Sequence, residues 1–147
     1  MTSGGSALAG LRVLEIGGGY SAPFAGRLLA DLGAEVIKIE NASGDPTRRW
    51  GPRLHGDSPL HGGALFEFLN WNKASLRLDP GPDRSTILDL AAEAGIVLVG
   101  DDLDVLADWD LDIPTIRSAR ADLVLTTVTP FGAFGPDSWW RGSDVGA

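Results

Sequence analysis

The sequence predicts an α/β fold, a Rossmann-like, open and mostly parallel sheet with helices on both faces. Three observations carry that expectation. Short strand-like runs alternate with helix-period segments along the whole chain. The joints between them are marked by glycine or proline. Residues 11–40 alone read strand, helix, strand with short connections, the order of a right-handed parallel crossover.

Each element has its own signal. Residues 11–16 (LRVLEI) form a strand that opens into Gly17, Gly18 and Gly19. Pro23 starts a helix, where its missing N–H costs nothing, with Phe24, Leu28, Leu29 and Leu32 on one face and Gly33 as its stop. Residues 35–40 (EVIKIE) alternate as a second strand. A long irregular stretch runs from 41 to about 63, then a two-turn helix over 64–70. Residues 74–79 (ASLRLD) alternate as a short strand. Asp83 is placed to cap a helix reaching Ala94, with Ile87, Leu88 and Ala91 inward and Gly95 as the stop. Residues 96–99 are wholly apolar, as in a strand covered on both faces. Pro114 opens one more short helix, and 121–128 (ADLVLTTV) is the fifth strand. Residues 1–10 are expected to be a flexible lead-in. Trp139 and Trp140 close to the end of the sequence, with no helix after them to cover the sheet, have the look of an interrupted fold.

Composition excludes several chemistries. There is no cysteine, so disulfides, thiolate metal sites and cysteine nucleophiles are ruled out, and His55 and His61 supply at most part of a metal site. No apolar run spans a bilayer and residues 1–10 do not read as a signal peptide, so a cytoplasmic setting without membrane association is expected. The net charge is -8, and all of the excess falls after residue 80. Six aspartates (101, 102, 104, 108, 110 and 112) cluster without a compensating cation, which repels phosphate backbones and excludes general nucleic-acid binding. Their plain reading is a solvated acidic face.

Residues 17–22 (GGGYSA) fit the dinucleotide pattern G-x-G-x-x-A between a strand and a helix, and Glu40 ends the next strand where an acid would hold a ribose hydroxyl. This makes an NAD-binding Rossmann domain one alternative and a structural tight turn another. Against the cofactor, Pro23 removes a donor near the expected phosphate, and a long loop follows Glu40 in place of a second helix.

Five segments in order are more specific: LRVLEIGGGYSAPFAGRLLADLGAEVIKIE, GDPTRRWGP, FEFLNWNKASLRLD, LVLTTVTPFGAFGP and WRGSD. This succession resembles the N-terminal part of the class III CoA-transferases, the family of carnitine CoA-transferase, formyl-CoA transferase and α-methylacyl-CoA racemase. The resemblance implies that residues 11–147 are the N-terminal α/β domain of a longer protein that forms interlocked dimers, alone or with a CoA-transferase-like partner. It implies transfer of CoA from an acyl-CoA to a small carboxylic acid. A catalytic aspartate attacks the thioester to give an acyl-aspartyl anhydride, CoA thiolate converts this to an aspartyl thioester, and the acceptor acid resolves it. That aspartate lies about thirty residues beyond the position matched by Asp144, so no catalytic residue is assigned here. Where the racemase branch has its base histidine, this chain has Ser143, which disfavours racemase chemistry.

By the same resemblance, Tyr20 and Ser21 belong to the loop beside the reacting thioester, and Phe131 and Gly132 to the turn bordering the CoA channel. Asn72 and Lys73 match the pair ahead of the third strand, where Lys73 reaches a phosphate or stands in solvent. Leu78 is the one match to the adenine-side pocket. Gly44, Asp45, Arg48 and Trp50 match a segment with a mainly structural role, Asp45 accepting loop N–H groups or pairing with Arg48. A phosphate contact by Arg48 or Arg49 is the sharper alternative. The departures weaken the CoA site: Asn41 replaces a basic residue, Gly81 falls in a turn that replaces a lysine, and Asp101 and Asp102 stand where an aromatic slot and a cation are usual. An unpaired aspartate ~4 Å from a phosphate costs about 1 kcal/mol even in water-like surroundings. A non-catalytic partner subunit with a degenerate CoA site is therefore the main alternative to an enzyme.

Overall fold

A computed structural model describes residues 5–53, 62–100, 104–138, 140 and 142. His55, His61, Asp101, Asp102, Trp139, Ser143 and Asp144 lie outside the described residues. Five strands, β1 (Arg12–Ile16), β2 (Glu35–Glu40), β3 (Ala74–Arg77), β4 (Ile96–Gly100) and β5 (Val124–Val128), form one sheet in the order β3-β2-β1-β4-β5. Every pairing is parallel, as the crossover reading requires. The helices are α1 (Ser21–Asp31), α2 (Ala64–Asn70), α3 (Arg84–Glu93), α4 (Asp104–Ala107) and α5 (Ile113–Ser118).

The pleat sorts the strand residues into two layers. Leu14, Ile16, Ile39, Val97 and Val99 face α3, α4 and α5 and pack with Ile87, Ala91, Leu106 and Ile116. Val13, Val36 and Leu98 face α1 and pack with Ala30 and Ala34, with Leu8 against the same cluster. Leu8 is held there by a backbone bond to the Leu32 carbonyl.

Three expectations need correcting. First, α1 begins at Ser21, two residues before Pro23, and of its apolar stripe Leu29 alone packs against the core. Phe24, Leu28 and Leu32 are exposed, Leu28 at 49%, while the helix packs through Ala22, Pro23, Gly26 and Ala30. Small residues let it lie close to the sheet. Second, Asp83 precedes α3 but its carboxylate does not cap the helix; it accepts from the Asp79 N–H at 2.7 Å instead. Third, the irregular stretch contains a 3-10 turn, Pro46–Arg49, capped by Asp45 through the Thr47 N–H. The aspartate-rich stretch keeps the solvated acidic face expected of it, with Asp104, Asp108, Asp110 and Asp112 all exposed. It holds α4, and Leu106, Trp109 and Leu111 alternate with the aspartates and are buried in the core. Asp112 caps α5 through the Thr115 N–H at 2.7 Å, which puts one aspartate of the run to local use.

Candidate functional site

The strand order reverses between β1 and β4, so the connections leaving their C-terminal ends diverge and leave a crevice, the usual ligand position in an open parallel sheet. A cleft of about 680 Å³ lies there, lined by Gly17, Gly18, Glu40, Asn41, Asp45, Asp104, Asp108 and Trp109 among others. Gly17 is where the two strands' ends touch. Its φ is +100°, and a Cβ on it would meet the Gly100 carbonyl oxygen at 2.7 Å, so the site demands glycine.

Beneath the glycine loop the polar side chains of β1 and β2 are buried together. Glu15 is 0% exposed and Lys38 1%. The Lys38 ammonium donates to Glu15 Oε1 at 2.9 Å and to the Gly17 carbonyl at 2.7 Å, and lies 2.7 Å from Asp45 Oδ2. Burial pulls the Lys38 pKa down, but the charges of Glu15 and Asp45 outweigh it and hold it above the usual lysine value. The Lys73 ammonium donates to Glu15 Oε2 at 2.7 Å, to the Pro23 carbonyl at 2.7 Å and to Asn70 Oδ1 at 2.9 Å. There burial prevails over the Glu15 charge, and the pKa is lowered.

Glu40 closes the network at the cleft wall. Arg48 grips it with a two-pronged contact, Nε to Oε2 and Nη2 to Oε1, both 2.6 Å. Ser75 Oγ and the Asp45 N–H also donate to it. Burial pushes the Glu40 carboxyl up, yet these donors together bring its pKa down to about 2. Arg48 in turn lies 3.7 Å above the Phe66 ring. Asp45 therefore both accepts a loop N–H, that of Thr47 together with its hydroxyl, and finds a cation, but that cation is Lys38, while Arg48 serves Glu40.

The residues singled out from the sequence are placed as follows. Tyr20 is 45% exposed at the start of α1 and packs against Trp50, ring centres 5.3 Å apart. Ser21 is exposed beside it as the first residue of α1. Asn72, with a positive φ of 64°, bonds Asp31 Oδ1 at the far end of α1, away from the cleft. Lys73 is neither in solvent nor in the cleft lining: its side chain is buried under α1. Leu78 is a core residue, and its N–H bonds the Glu40 carbonyl. Phe131 meets Trp140 edge-on at 5.7 Å, and Gly132 takes a φ of +89° in the turn after β5. The structure sets Tyr20 and Ser21 directly after the glycine turn, at the start of α1, but neither belongs to the described cleft lining. It leaves Asn72, Leu78, Phe131 and Gly132 out of the described cleft lining. Sequence reading missed Glu15, Lys38 and Trp109; the signal was present in two polar residues, Glu15 and Lys38, set in strands otherwise rich in Val, Leu and Ile.

The sequence pattern of CoA-transferase family III matches residues 8–147. The chain belongs to that family. Succinate–glutarate CoA-transferase of Agrobacterium fabrum is 34% identical over 142 residues, which cover 93% of this chain and 36% of that protein. Cinnamoyl-CoA:phenyllactate CoA-transferase of Clostridium sporogenes is 34% identical over 140 residues, 94% of this chain and 34% of that protein. In structure, a CAIB/BAIF family protein from Brucella suis superposes with a TM-score of 0.85 at 33% identity, over 96% of this chain and 38% of its own. This family III chain thus spans about a third of the length of the curated relatives it matches. No helix among the described residues is long and apolar enough to cross a membrane.

Proposed function

We propose that this chain is the loop-bearing α/β unit of an enzyme that moves CoA from an acyl-CoA to a small carboxylic acid, with the aspartate nucleophile contributed from outside residues 1–147. The observation that carries the reading is the glycine loop at the switch-point crevice of a chain that belongs to CoA-transferase family III. The amides of residues 18–21 would face the thioester carbonyl as its oxygen gains charge during attack. Tyr20 and Ser21 would be the polar side chains beside it, and Phe131 and Gly132 would border the path of the pantetheine arm. The nicotinamide alternative loses its main support, because the Glu40 carboxylate is engaged internally by Arg48, Ser75 and the Asp45 amide.

One observation favours a second reading, a partner subunit with a weakened CoA site. The described lining of the cleft includes Glu40, Asp45, Asp104 and Asp108, and no lysine or arginine. Calorimetric titration with CoA at 0.15 M salt, followed by an assay of acyl exchange between an acyl-CoA and carboxylic acids, separates the two. Micromolar CoA binding with transfer supports the enzyme. A folded protein that binds neither CoA nor an acyl-CoA overturns it in favour of the partner subunit.

A further inference from the structure

The glycine loop is held at both of its ends by one buried ion network. At its start, the Gly17 carbonyl accepts from Lys38; at its end, in the first turn of α1, the Pro23 carbonyl accepts from Lys73. The Lys73 ammonium donates all three protons to oxygen atoms of separate residues, while Lys38 donates to two and forms an ion pair with a third, Asp45 Oδ2, a buried oxygen without a hydrogen bond among the described residues. The two lysines share a single carboxylate, with Lys38 on Oε1 of Glu15 and Lys73 on Oε2. Helix α1 is shaped to allow this: a Cβ on Gly26 would overlap Glu15 Oε2 and stand 3.2 Å from Lys73 Nζ. Buried ion pairs are poor sources of net stability, and apolar residues of similar volume often do as well or better. What they do supply is a fixed geometry, because a buried ammonium that leaves its acceptors is strongly penalised.

We propose that Lys38 and Lys73 are positioning residues, which clamp the loop of residues 17–22 through Glu15 and set its amides for the thioester. The proposal deepens the CoA-transfer reading and rests on it for the chemical step alone. Both lysine side chains are buried and neither lines the described cleft, so they act through the loop carbonyls. The test uses the complete protein with Lys73→Met, which keeps the Lys38–Glu15 pair, and with Glu15→Gln, which keeps an acceptor for Lys38 while removing the charge that Lys73 needs. Amide hydrogen exchange reads the clamp directly. In Lys73→Met the amides of residues 17–22 and of Phe24 exchange about tenfold faster or more, while those of β1 and β4 keep their protection. In the transfer assay kcat falls about 10- to 100-fold with the KM for the acyl-CoA nearly unchanged, since misplacing a preorganised group affects the transition state more than binding. Unchanged loop exchange in both variants overturns the proposal, and so does a rise in KM with kcat intact. If the unsubstituted protein transfers no CoA, the functional reading fails, and the exchange experiment still decides the clamp.

Discussion

At the scale of single residues, the buried carboxylates matter most. Glu40 is 4% exposed, and its pKa of about 2 lies well below the ordinary glutamate value of 4.5. A depressed acid contributes stability above its unfolded pKa, and that contribution disappears as pH falls through the folded one. The window is therefore pH 4.5 down to about 2, and the size, at 1.36 kcal/mol per unit, is about 3 kcal/mol. Urea unfolding at a series of pH values should show the native protein losing stability through this window. Glu40→Gln should start less stable at neutral pH, with Arg48 deprived of the Glu40 charge, and lose about 3 kcal/mol less on acidification. An equally steep loss in the variant would assign the acid sensitivity to other groups. This residue was visible in the sequence as a strand-ending acid, but its role was not. Nothing local says that Arg48, eight positions on, returns to the end of the strand with Ser75 beside it; that depends on the path of residues 41–50 and on the β2–β3 register.

At the scale of elements, α1 shows how periodicity and packing part company. The spacing of Phe24, Leu28 and Leu32 gives a helix correctly and its buried face wrongly, because the opposite side carries Ala22, Gly26 and Ala30, whose small size permits close approach. Apolar stripes report a helix; which side meets the sheet depends on what the sheet presents, and here β1 and β2 present Glu15 and Lys38. Truncation distinguishes the two sides. Leu28→Ala should cost less than about 0.5 kcal/mol, as for an exposed position. Ile87→Ala, removing a fully buried side chain from α3, should cost about 2–5 kcal/mol. Gly26→Ala makes the sharper case. Helix propensity alone predicts a gain of up to about 1 kcal/mol. The overlap with Glu15 Oε2 should reverse the sign and destabilise by about 1–3 kcal/mol, the usual cost of overpacking, as thermal and urea unfolding would show. A more stable Gly26→Ala protein would mean that the ion network is not packed beneath α1 as described. By contrast α2 begins and ends where its sequence placed it, and β2 likewise, since a short amphipathic run and an alternating hexamer bounded by turn residues leave little freedom.

At the scale of the whole molecule, the fold class was legible from the alternation of elements, whereas the sheet order was not, because the pairing of β1 with β4 joins segments more than eighty residues apart. That pairing creates the crevice, and α4, which the run of aspartates disguised, supplies one of its walls. Electrostatics of the assembled cleft then decides how well a polyanionic ligand is received. Asp108 is exposed on the turn after α4 and lines the cleft. One unit charge ~4 Å from a phosphate is worth about 1 kcal/mol in water, so Asp108→Lys, a change of two charges, should strengthen CoA binding by about 2 kcal/mol, roughly 30-fold, at low salt. The gain should shrink severalfold at 1 M salt, where the Debye length is about 3 Å. Titration calorimetry at about 0.05 and 1 M salt gives both values. Tightening that salt abolishes would place CoA phosphates at this wall and make the aspartates a brake on affinity. No change at either salt would mean that the phosphates bind elsewhere or not at all, and the acidic wall would then belong to a subunit whose contribution is structural. Both outcomes bear on the same physical question, whether a crevice that the topology makes suitable for a nucleotide has kept the charge that a nucleotide needs.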